Sequence, residues 1–128
     1  MDFHPEHFTV WTEIPSADLD VAVPFYETVL KTRLERQEMG PDTTYVFKTS
    51  DHPNGIAGHI YGGKPAGDGT GPTVHLAAPD KLEDTISRIV PAGGKVVSDI
   101  IAMPFGRFVY AMDPDGNSIG LFEFAEAA

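Results

Sequence analysis

Apolar and polar positions along the chain follow one order of patterns, and the order then repeats. Phe8-Thr9-Val10-Trp11-Thr12-Glu13-Ile14-Pro15 is rich in β-branched and aromatic residues and predicts a strand. Ser16 and Asp18 follow as candidate N-caps. Leu19, Ala22, Val23, Tyr26, Val29 and Leu30 then recur at helical spacing, which predicts a helix over about 18–31. Pro24 lies inside that stripe, where it removes one backbone bond and should bend the helix. Two strands are expected at Arg33–Glu38 and Thr44–Thr49, with a tight turn at Gly40-Pro41-Asp42 between them. Ser50–Gly55 is turn-rich, and Gly55–Tyr61 reads as a fourth strand weakened by its glycines. Residues 62–72 hold five glycines and two prolines and predict a loop that joins two halves.

The second half restarts the pattern. Thr73–Pro79 predicts a strand, Asp80 a cap, and Leu82, Ile86, Ile89 and Val90 a helical stripe. Pro91-Ala92-Gly93-Gly94 stops the helix, because glycine can take the left-handed closing conformation. Lys95–Ser98, Arg107–Met112 and Ser118–Phe124 predict strands, the last two joined by the turn Asp113-Pro114-Asp115-Gly116-Asn117. Aligning the strands before each helix sets Trp11 opposite Thr73 and Glu13 opposite His75, each 62 positions on. An internal duplication follows. The expected architecture is α+β: a single domain over 1–128, built of two βαβββ modules at about 8–61 and 73–124 that form a curved mixed sheet around a cleft.

Composition narrows the function classes. The chain has 128 residues, no cysteine, 19 acids against 9 Lys plus Arg, and a net charge of −10. Disulfides, thiolate chemistry and cysteine zinc sites are therefore excluded. A surface of this sign repels phosphate backbones, so nucleic acid is not an expected partner. No apolar run reaches the roughly 20 residues of a membrane helix, and the first residues lack the basic and apolar runs of a signal peptide. The expectation is a cytoplasmic protein with no membrane partner.

Three segments carry a resemblance: Glu13–Asp20 running into Pro24-Phe25-Tyr26-Glu27, Pro91–Val96, and Asp113–Glu123. Together they resemble the vicinal oxygen chelate superfamily, which includes glyoxalase I, extradiol dioxygenases, methylmalonyl-CoA epimerase and bleomycin or fosfomycin resistance proteins. Phe105-Gly106-Arg107-Phe108, with the glycines of the fourth strand, is similar to a subgroup described as predicted enzymes related to lactoylglutathione lyase. The resemblance implies a homodimer and a small-molecule ligand or substrate.

In metal-using relatives the resemblance further implies one His, Glu or Gln from each of four cleft strands, holding a divalent ion that stabilises an enolate or similar anion. The matching positions here are Trp11, Gly58 or its neighbour His59, Thr73 and Gly120. Indole and bare backbone supply no ligand, and a lone threonine hydroxyl is a poor one. No metal and no other cofactor is therefore expected. Alternation from Gly58 turns Ala57 and His59 away from the cleft, and alternation from Gly120 does the same for Glu123.

Glu13 and His75 lie two residues beyond Trp11 and Thr73, so both can share the cleft face. A Glu13–His75 pair could satisfy two buried groups, or act as a general base with its partner. Trp11, Thr73, Arg107 and Phe122 are the candidate ligand-binding residues. Trp11 and Phe122 would wall the pocket, and Arg107 is a surface charge or an anchor for a substrate anion. His4, His7 and His52 read as solvated. The leading expectation is a metal-independent enzyme of lyase or isomerase type. A non-catalytic small-molecule binding protein and a metal-dependent glyoxalase or dioxygenase are the alternatives.

Overall fold

The computed structural model describes residues 2–39, 42–50 and 55–125. Gly40 and Pro41 of the expected turn, most of the turn-rich stretch that follows Thr49, and His52 lie outside them. The first half contains β1 (Trp11–Ser16), α1 (Leu19–Val29), β2 (Glu35–Met39), β3 (Asp42–Val46) and β4 (Ala57–Gly62). The second contains β5 (Val74–Ala77), α2 (Leu82–Ser87), β6 (Lys95–Val96), β7 (Ile101–Met103), β8 (Gly106–Met112) and β9 (Ser118–Phe124).

Each half makes a mixed sheet of its own, in the orders β1-β4-β3-β2 and β5-β9-β8-β6, with β7 also on β8. In both, the first strand pairs parallel with the last and so becomes an edge. The sequence pattern missed β7. It shares β8 with β6, and between them the backbone amides of Val97 and Ser98 both reach the Tyr110 carbonyl (2.9 and 3.3 Å). Two residues facing one is a bulge, so β6 and β7 form one edge strand broken in the middle. The strand-helix-three-strand order thus holds in both halves.

Helix α1 starts where expected: the Asp18 carboxylate accepts from the Asp20 amide at 3.1 Å. Asp80 behaves differently from the expected cap. Lys81 is the N-cap of α2, without a side-chain bond. Asp80 instead accepts from Thr85 Oγ1 (2.7 Å) and from both terminal nitrogens of Arg88 (3.0 and 2.9 Å). Those bonds, the Arg88 ones foremost, hold its carboxyl down at about 2.

The core lies between the helices and the inner sheet faces. Phe25, Tyr26, Val29, Ile60, Leu82, Ile89, Val109, Ile119 and Leu121 form one buried cluster drawn from both halves. Polar ties lock the halves together beside it. Tyr26 donates its hydroxyl to Asp113 Oδ2 at 2.6 Å. Asp113 Oδ1 accepts from the amides of Asp115 and Asn117, and Asn117 Nδ2 donates to the Pro15 carbonyl at 2.8 Å. The Ala17 amide donates to Asp115 Oδ1 at 2.9 Å. The turn between β8 and β9 thereby grips the end of β1, and Gly116 (φ 83°) takes the left-handed conformation the turn requires. Burial first, and then the Asp113 charge, push the Tyr26 hydroxyl well above its ordinary pKa, so it stays a donor.

Tyr26→Phe keeps the ring in the core but takes one donor from a buried carboxylate. We expect a loss of about 1–3 kcal/mol in urea denaturation. An unchanged midpoint would mean that the Asn117 side chain alone satisfies Asp113 Oδ2.

Candidate functional site

Ile14 is a core residue, so Trp11 and Glu13 stand on the opposite face of β1. The register pairs Glu13 with His59 on β4, and Ile60 next to His59 is core. His59 therefore shares the face of Glu13, not the reverse face expected from Gly58. The parallel register in the second half pairs His75 with Gly120. Since Glu13 matches His75, His59 matches Gly120, one position away from Gly58. The duplication is 62 residues long in the first strand and one shorter in the last. Ile60 carried the missed signal: it corresponds to Leu121 as the apolar residue after the cleft position, which fixes His59 as the counterpart of Gly120.

Three side chains join on this face. Trp11 Nε1 donates to His59 Nδ1 at 3.0 Å, and His59 Nε2 faces Glu13 Oε2 at 3.3 Å. An indole N–H can only donate, so Nδ1 is the acceptor and the imidazole proton sits on Nε2, toward Glu13. The His59 side chain is 6% exposed and Glu13 63%. The buried imidazole orients a carboxylate that stays open to solvent.

A cleft of about 960 Å³ lies between the edges of β1 and β5. Trp11, Glu13, Thr73 and His75 all line it. Its ionisable lining groups among the described residues are Glu13, Lys48 and His75, and the rest is largely apolar or hydroxyl-bearing. Glu13 bonds His59 rather than His75. The His75 ring is exposed, with edge contacts to Phe108 (centroids 5.1 Å) and Phe122 (6.5 Å). Thr73 Oγ1 is hydrogen-bonded to Ser118 Oγ.

Two expected ligand residues stand elsewhere. Phe122 is outside the cleft lining and stacks parallel to Phe108 at 6.0 Å. Arg107 alternates with Phe108 onto the face of Val109, toward α2. Its guanidinium is consumed by Glu123 (2.6 Å) and, in a two-pronged pair, by Glu83 (2.8 and 2.6 Å). These bonds raise the Arg107 pKa and hold Glu83 down at about 2. Arg107 therefore ties β8 and β9 to α2.

Among known proteins, one family profile matches the chain. The profile of the Glyoxalase/Bleomycin resistance protein/Dioxygenase superfamily matches residues 6–121. The chain belongs to that superfamily. Its fold is similar to a glyoxalase/bleomycin resistance protein from Albidiferax ferrireducens T118, at 22% identity over 89% of this chain and 96% of that one, with a TM-score of 0.67. It is also similar to a glyoxylase/bleomycin resistance protein/dioxygenase domain from Frankia sp. EAN1pec, at 17% identity over 98% of this chain and 96% of that one, with a TM-score of 0.66. A glyoxalase I mutant from Zea mays matches at 16% identity over 88% of this chain but 45% of its own length, with a TM-score of 0.67. A search of curated proteins returned no match.

The donor set does not fit the metal that the fold family implies. Trp11 spends its N–H on His59, and both His59 nitrogens are engaged. Thr73 is bonded to Ser118, and Gly120 has no side chain. Among the described residues, no three His, Cys, Asp or Glu side chains cluster closely enough to hold an ion.

Gly120 has another reason to be glycine. A Cβ there would collide with the His75 ring, closest to Nδ1. Gly120→Ala should displace His75, moving its ring resonances in NMR, at little cost in stability because the exposed ring can swing away. Unmoved His75 resonances would contradict the packing described.

Proposed function

We propose that the chain is a metal-independent enzyme of lyase or isomerase type, acting on a small organic molecule held between β1 and β5, with Glu13 as general base. The observation that carries this reading is the chain of bonds from Trp11 through His59 to Glu13, which aims an open carboxylate into the cleft. In the reaction envisaged, Glu13 takes the proton from a carbon beside a carbonyl. The electron pair moves onto the carbonyl oxygen as an enolate. His75, on the β5 side of the same cleft, donates a hydrogen bond to that oxygen. Collapse of the enolate either returns the Glu13 proton to the γ-carbon of a substrate with a β,γ double bond, or expels a leaving group from the β-carbon that takes up that proton, which gives isomerase or lyase chemistry respectively. His59 holds the base in place and touches no substrate.

A second reading is a binding protein that sequesters or senses its ligand. The small number of ionisable groups in the lining favours it. Thermal-shift screening of carbonyl metabolites separates the two. A ligand that stabilises the fold and is recovered unchanged supports binding, and a converted one supports catalysis.

For a converted compound, Glu13→Gln should lower kcat by about 10²–10⁴-fold. Turnover equal to that of the unaltered protein would show that Glu13 is not the base.

A further inference from the structure

We propose that the cleft selects a small organic cation, a substituted ammonium or a protonated nitrogen heterocycle, with its charge on Glu13 and its body against the face of Trp11. The inference rests on the reading of the cleft given above, though not on Glu13 acting as a base.

The charge balance of the lining carries it. Lys48 is matched by Glu35 at 2.9 Å. Glu13 has His59 as its partner, and that imidazole meets it through a neutral N–H, because Nδ1 is taken by the indole. The contact therefore brings no opposing positive charge to the carboxylate, and 63% of the Glu13 side chain stays open. Trp11 is two residues away on the same face and is 42% exposed. Its N–H is tied to His59, which leaves ring surface to offer a ligand, and the indole face is the strongest of the aromatic side chains in attracting a cation. Arg107, which could have met an anion, is turned away and held by Glu83 and Glu123. The net charge of −10 draws cations toward the molecule at long range.

Trp11 is the sole tryptophan of the chain, so its fluorescence reports directly on the site. The full-length protein is titrated with benzyltrimethylammonium, benzyl alcohol and benzoate. We expect saturable binding of the ammonium, at least about tenfold tighter than the alcohol, and no saturable binding of benzoate. In Glu13→Gln the ammonium should weaken to the level of the alcohol, while the alcohol is unchanged. Circular dichroism of the variant checks that it folds. Equal or tighter binding of the alcohol or benzoate, ammonium affinity unaffected by Glu13→Gln, or saturation by none of the three would each overturn the proposal. The two readings fail separately: this assay measures binding without turnover, and the assignment of the base is measured by turnover alone.

Discussion

The Asp113 carboxylate, in a residue only 4% exposed, is the fixed point of the molecule. A buried charge is tolerated where hydrogen bonds replace water. Here Tyr26 supplies one bond from α1, and the amides of Asp115 and Asn117 with the Asn117 side chain supply the rest. The same turn reaches the Pro15 carbonyl and the Ala17 amide at the end of β1. It also leads into β9, which pairs with β5. One carboxylate therefore fixes β1 relative to β5, and the separation of those two edges is the cleft.

The chemistry inside the cleft depends on a second, smaller constraint. In each half, the strand after the loop faces the first strand in the same register, but different residues fill it. The first half places His59 beside Glu13, and the second places Gly120 beneath His75. An imidazole against a carboxylate gives an oriented anion, whereas an imidazole over glycine lies against aromatic edges. The two walls thus share a strand register and differ in character.

Much of this was legible in the sequence. The two apolar stripes, the turn at Asp113–Asn117 and the repeat length led to the fold, because helical and strand periods are local properties. The cleft face of Trp11, Glu13, Thr73 and His75 followed from alternation. What failed was long-range. A strand's face flips with a one-residue slip, and only the match of Ile60 to Leu121 in the other half separates His59 from Gly58 as the cleft position. The partner of Glu13 was misassigned for that reason. The place of Arg107 was not legible because its acceptors, Glu83 and Glu123, stand 24 and 16 residues away. The break between β6 and β7 arises from bulged pairing on β8, which composition does not encode.

Within the Glyoxalase/Bleomycin resistance protein/Dioxygenase superfamily, this chain keeps the scaffold. Trp11 and His59 are bonded to each other, Thr73 is bonded to Ser118, and Gly120 accommodates a ring. The central claim is that these positions serve to orient Glu13 and seat His75 rather than to hold an ion. Elemental analysis of protein purified without chelator tests it most directly. Divalent metal far below one equivalent per chain is expected. A stoichiometric divalent ion that survives dialysis would contradict it.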